Sequence, residues 1–448
     1  MGGRGGGSRG GRGRGTGYDN GAYGAAPQHG YGAPGYVQAP YANNTYAAPG
    51  HAAAPAAGYG MPQTGYEGYP QGGMGGAAAG KKPPKIASHV QFDPSMMVNV
   101  SSFLAPGERP AQLASFAISY LPATTPGQPS RVSVYTGDQS GVMREFTHNG
   151  TWVQTRKAQH EGPVTSLLAV DVWLFVAIQQ SSPSGGVIGV VKAYNLANNT
   201  QTTLIDPSSG IPGAHFNSVR CMCAAQQWLI TGGGDGQVKA WSFAQDPATG
   251  EGKWTLHGMY GGGVAHQNGE VTAMSGKCAG SLITGSGSGE LKSWRLVDGT
   301  MQAAVQAHVG PIASMDVLSA GPDNQFIVTC GANDSYVRLW KGPTLEKLHE
   351  LTVQPPPSVV PGAPVHHQNP VTSLKIIQVG QVPQLFVGMW NGTVVVYHMK
   401  DVRHFEKLGF VDGHQRKTSI LGFELLSTMP FLCMVSDKGF INWFRLPQ

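Results

Sequence analysis

The chain has 448 residues, 40% of them hydrophobic, with a formal net charge of +5. That length allows one large repeat domain with an appended segment. Up to Lys85 the charged residues are Arg4, Arg9, Arg12, Arg14, Lys81, Lys82 and Lys85 against Asp19 and Glu67, and the remaining 23 basic and 23 acidic side chains balance, so the body exerts no net pull on a polyanion. No apolar run reaches the ~18 residues of a membrane span, and five cysteines with no C-x-x-C spacing argue against a disulfide scaffold.

The first stretch, 1–90, opens on MGGRGGGSRGGRGRG and continues as Gly/Ala/Pro-rich chain with a tyrosine every few residues. With almost nothing to bury, it is expected to stay disordered. Guanidinium groups pair with phosphate and stack on bases, and tyrosine rings add stacking surface. Arg4, Arg9, Arg12 and Arg14 with Tyr18 and Tyr23 are therefore the candidate RNA contacts, and the segment resembles RGG-type RNA-binding segments. A solubilising low-complexity extension is the other reading of the same composition. Lys81-Lys82-Pro83-Pro84-Lys85 reads either as a charged linker or as a minimal nuclear import signal.

From residue 91 to 448 a pattern repeats seven times: a strand, a second strand, a Gly/Asp turn and a third strand closing on an aromatic residue. The closing aromatics are Phe146, Tyr194, Trp241, Trp294, Trp340, Tyr397 and Phe444, spaced by 46–57 residues. Such a period in strand-forming sequence marks the blades of a propeller, so the expected fold is all-β with seven blades. A fourth strand is expected at 151–157, 253–259, 347–353 and 404–410. Only four residues follow Phe444, so the seventh blade needs an outer strand from elsewhere. The apolar segment 96–104 is expected to supply it and close the ring.

The repeats resemble WD40-repeat β-propellers over about 350 residues. That resemblance implies a buried hydrogen-bonded set in each blade: a His before the first strand, a Ser/Thr on the second, an Asp in the next turn and a Trp on the third. Blade 3 carries it as His215, Thr231, Asp235 and Trp241. Blade 5 carries it as His308, Thr329, Asp334 and Trp340. Blade 4 keeps His266, Thr284 and Trp294, with Ser288 at the Asp position, and blade 6 has Asn391 and Tyr397. Blades 1, 2 and 7 are degenerate. A looser likeness, resting on stretches such as LITGGGDGQVKAWSF, is to eukaryotic CCCH-zinc-finger WD40 proteins, although no Cys/His finger is present here. It implies at most a setting in RNA metabolism.

Catalytic motifs are missing: there is no G-x-S-x-G, H-E-x-x-H or P-loop. Histidines that recur with the repeat, His215, His266, His308 and His414, read as structural. His366-His367 point to opposite faces if on a strand, and Cys221 with Cys223 cannot complete a zinc site; no metal or cofactor is expected. Arg144, Lys192, Lys239, Lys292 and Arg338 share one repeat position. Their stems are expected to pack on the sheet with cation–π contacts to the aromatics, a ring of cations tracking RNA being the alternative. SSPSGG at 181–186 and the Pro-rich 353–365 read as surface loops. The expected function is a non-enzymatic, intracellular scaffold, cytoplasmic, nuclear or both. Protein partners would dock on its faces and RNA on its tail, without a membrane or small-molecule substrate. The alternative is a general adaptor outside RNA biology, such as a ubiquitin-ligase substrate receptor or a trafficking subunit.

Overall fold

Strand burial follows from position in each sheet. The second strands Trp228–Gly233 and Ser281–Ser286 are buried at every residue, as a strand covered on both faces must be. The fourth strand Thr151–Gln159 alternates between exposed and partly buried residues, the period-two signature of a strand with one wet face. The computed structural model describes residues 91–92 and 98–446, except 105, 107, 109–110, 123–129, 183–184, 246–251, 322–323, 354–369, 380–381, 413–417 and 427–430. The tail expectations, including Arg4, Arg9, Arg12, Arg14, Tyr18 and Tyr23, lie outside the described residues. So do Lys81–Lys85, His366-His367, His414 and most of the Pro-rich loop.

The described chain is all-β: seven antiparallel sheets spanning 113–159, 164–204, 219–259, 271–306, 312–352, 371–412 and 420–445. These are blades 1 to 7. In blades 1 to 6 the four strands lie side by side in chain order. The first strand of each blade packs against the first strand of the next, and that of blade 7 against that of blade 1, which closes a ring. Seven hydrophobic clusters fill the seven gaps between neighbouring blades. One, for example, joins Ile230, Val238 and Ala240 of blade 3 to Val271, Leu282 and Trp294 of blade 4. Each blade therefore hides its apolar faces only because its neighbours are present.

A β-bulge recurs in the first strand of every blade, as between Val219 and Cys221. A second bulge precedes the closing aromatic in blades 1, 3, 4, 5 and 6, as between Ala240 and Trp241. Bulges sharpen local twist, which suits sheets arranged about an axis.

Blade 7 is completed from the start of the described chain. Gln91–Phe92 pairs with the last strand at Arg445 and Phe444, and Val98–Asn99 pairs with it at Ile441 and Phe440. Within the expected 96–104 stretch, the strand is thus short: Val100–Phe103 is a 3-10 turn. The Ser102 hydroxyl donates to the Asn99 carbonyl at 2.7 Å, a local bond that competes with ladder pairing. The same segment reproduces an inter-blade clamp. In blades 2, 4 and 5 the backbone N–H of His160, His266 or His308 donates to the turn glycine of the preceding blade, Gly141, Gly236 or Gly289. At the closure, the Val100 N–H donates to Gly439 in the same way, at 2.9 Å. The clamp needs glycine: at Gly236, φ is +73° and a Cβ would come 2.3 Å from the His266 carbonyl oxygen, strained in both conformation and space.

Candidate functional site

The repeat's polar residues converge at each intact blade. In blade 3 the Trp241 indole N–H donates to the Thr231 hydroxyl at 3.0 Å, Thr231 lies 2.8 Å from His215 Nε2, and His215 Nδ1 lies 3.0 Å from Asp235 Oδ1. A carboxylate only accepts, so the neutral imidazole carries its proton on Nδ1, and the Thr231 hydroxyl donates to Nε2. Burial pushes the His215 pKa down against the opposing pull of Asp235. Burial also raises the Asp235 carboxyl, but hydrogen bonds from His215 and from the N–H groups of Gln237 and Phe216 outweigh it, and its pKa is low. Blade 5 repeats the arrangement: Trp340 to Thr329 at 2.9 Å, Thr329 to His308 at 2.8 Å, and His308 to Asp334 at 3.0 Å.

Blade 4 holds Trp294, Thr284 and His266 at 2.8 Å spacings. Its carboxylate is a residue that sequence reasoning missed. Glu290 Oε2 lies 3.3 Å from His266 Nδ1, while Ser288, at the Asp position, bonds Ser286 instead. Burial and the Lys292 charge together lower His266 to about 4.

The recurring cations complete these slots. Lys239 is fully buried; its ammonium donates to Asp206 Oδ2 at 2.7 Å and to the Ala214 carbonyl at 2.8 Å. Lys292 and Arg338 donate to the carbonyls of Ala265 and Ala307, the residues before His266 and His308. They also meet Glu290 at 3.0 Å and Glu350 at 2.7 Å. Arg144 meets Asp138 at 2.8 Å and also pairs with Glu108. These four cations are thus neutralised by carboxylates of the propeller itself, which leaves no ring of free charge for RNA. A cation–π contact with the closing aromatic occurs for Lys292, 5.9 Å from the Trp294 ring, whereas Arg338 lies over Tyr336.

The WD40 family (WD domain, G-beta repeat) matches residues 208–242 and 299–341, the stretches that hold the slots of blades 3 and 5. The chain carries WD40 repeats. Among solved structures, it is similar to the WD40 β-propeller domain of Doa1, at 14% identity and a TM-score of 0.54, covering 79% of this chain and 97% of that one. A chain in the mitotic checkpoint complex is similar at 14% identity and a TM-score of 0.57, covering 83% and 100%. These likenesses show the fold. No curated protein sequence matches the chain.

The equivalent positions of blades 1 and 2 depart from the slot in opposite ways. Blade 1 has Phe146 in place of the Trp, and the buried Thr136 hydroxyl has no partner among the described residues. Blade 2 has Val176 where blade 3 has Thr231, since Val176 pairs with Lys192 as Thr231 pairs with Lys239. Its His160 is buried, and Nε2 has no partner among the described residues.

The WD40 loops define a second feature. Antiparallel strand order puts the loops leading into each first strand and the turns between second and third strands at one end of each sheet, and in blades 3 and 5 a His-to-Asp bond ties the two together. On that end Ile205, Phe216, Val264, Val309 and Trp390 are exposed, Trp390 at 59% and Val309 at 79%. Among the described residues, no helix is long and apolar enough to cross a membrane, and no group of three or more His, Cys, Asp or Glu is placed to hold a metal. Cys221 and Cys223 are thiols whose pKa values burial raises, Cys223 to about 12.

Proposed function

We propose that the protein is a non-enzymatic scaffold of RNA metabolism. A protein partner docks on the loop face of blades 3 to 6, and RNA is contacted through Arg4, Arg9, Arg12, Arg14, Tyr18 and Tyr23. WD40 propellers are typically protein-interaction scaffolds. The observation that carries the docking reading is the set of exposed apolar residues on loops of neighbouring blades, those of blades 3 to 5 lying above hydrogen-bonded slots that tie the loops to the sheets. Exposed aromatic and aliphatic groups grouped on one face mark interaction sites, and Trp is enriched among the residues that dominate binding energy. The RNA part is supported by the Gly/Arg/Tyr composition of the tail and by its hold on the whole net charge. A tail tethered to a docked propeller gains effective concentration, so weak RNA contacts become useful.

Affinity capture from cells with the wild type and with Phe216→Ser/Val309→Ser/Trp390→Ser tests the docking face. The partner set of the wild type is expected to be lost in the triple variant while its melting temperature holds. An unchanged partner set would reject this face. A partner set made only of ubiquitin-ligase or trafficking components would favour the general adaptor.

A further inference from the structure

Blade 2 differs from the other blades in the charge of its slot. Arg156 and Ala158 alternate along the fourth strand of blade 1, and His160 follows at the same spacing. Lys192 and Tyr194 share one face of the third strand of blade 2. Ala158 and Tyr194 meet in the cluster between these blades, and the Arg156 guanidinium sits 5.0 Å over the Tyr194 ring. Lys192 occupies the position of Lys239, Lys292 and Arg338. In blade 5 the cation at this position comes within 3.0 Å of the His308 Nδ1.

The carboxylate is what blade 2 lacks. Asp235, Glu290 and Asp334 fill this place in blades 3, 4 and 5. In blade 2 the second and third strands run on as a long hairpin, pairing through Ser181 and Val187, so no turn folds back with an acid. Among the described residues no carboxylate lies within ion-pair distance of Lys192 or Arg156. Glu145, opposite Arg156 in the ladder, is taken by Arg131 and Tyr135, and Glu161 is exposed. The His160 ring has no partner at Nε2, so nothing there opposes the tautomer that donates from Nδ1.

We propose that this slot between blades 1 and 2 binds a carboxylate of an acidic partner segment, in the place filled elsewhere by the chain's own Asp or Glu. Lys192, Arg156 and the His160 imidazole would be its ligands. The proposal rests on the scaffold reading and adds the chemistry of what is bound. Three other blades show that a side-chain carboxylate fits the equivalent position. Two half-buried cations with no counterion among the described residues favour a charge that arrives with a ligand.

The test is fluorescence anisotropy of a labelled, short Asp/Glu-rich peptide with the full chain. The set comprises the wild type, Lys192→Met, Arg156→Gln and the surface control Lys253→Gln. A lost charge-assisted bond is expected to weaken binding about tenfold or more in each slot variant and little in the control. If Lys192→Met does not fold, Arg156→Gln decides. Equal affinity across the set, or no binding by the wild type, overturns the proposal. Binding of inorganic phosphate at the slot without binding of the peptide also overturns it. Partner capture through Phe216, Val309 and Trp390 is read separately, so failure of the slot leaves the docking face standing, and the converse.

Discussion

Thr231→Val removes one hydroxyl and almost no volume. In blade 3 that hydroxyl accepts from the Trp241 indole N–H and donates to the His215 Nε2, and all three residues have 0% exposure. The substitution leaves a buried donor and a buried acceptor unpaired, each at a cost of roughly 1–3 kcal/mol, so a loss of about 3 kcal/mol is expected. The Thr136 hydroxyl of blade 1 is the internal control. It is equally buried and already has no partner among the described residues, so Thr136→Val is expected to be neutral or stabilising. Urea denaturation followed by tryptophan fluorescence compares the two variants. Like effects in both, or a loss under about 0.5 kcal/mol for Thr231→Val, would refute the reasoning that the slot is held by hydrogen bonds.

Lys239→Met strands the Asp206 carboxylate, 2% exposed, without its ammonium partner. A loss of about 3–5 kcal/mol is expected, most of it recovered in Lys239→Met/Asp206→Leu, and a double-mutant cycle by denaturation reads both. Acid should unfold the propeller early. His266 takes up its proton near pH 4 when folded and near 6.5 when unfolded. Between those values the unfolded chain holds more protons, so stability is full above pH 6.5 and falls by on the order of 2–3 kcal/mol as pH drops to 4. Melting temperatures across pH 7.5 to 4 check this, and His266→Gln should flatten the profile. For the tail, RNA pull-down with the full chain and with a chain starting at Ile86 is expected to recover RNA only with the former, and less at raised salt.

The seven-bladed architecture was legible because the closing aromatics are set by the repeat and each is buried against its neighbours. The slot residues were legible where each sits at its usual offset. Glu290 was missed because it reaches His266 from two residues beyond the expected turn position. Asp206 was missed because it lies in a loop between blades, outside the repeating pattern. The fourth strands of blades 2 and 4 carry no aromatic: Gln201–Leu204 is only four residues long, and Met301–Gln306 exposes four of its six residues, so no pattern marked them in the sequence. The cations were read as packing stems. Only the structure shows that carboxylates, among them Asp206 for Lys239 from the loop between blades 2 and 3, meet four of the five head groups. The departure of blade 2 follows the same logic: Val176 is an ordinary strand residue in the sequence, and its consequence for His160 emerges only from strand register.

The central claim is that the exposed loop end of blades 3 to 6 is where a protein partner docks. Hydrogen exchange of the purified propeller, with and without a captured partner, tests it most directly. The account predicts slowed exchange at 205, 216–217, 264–265, 309–310 and 390–391, with the outer strands unchanged. Protection confined to the outer strands or to the opposite end of the blades would contradict it.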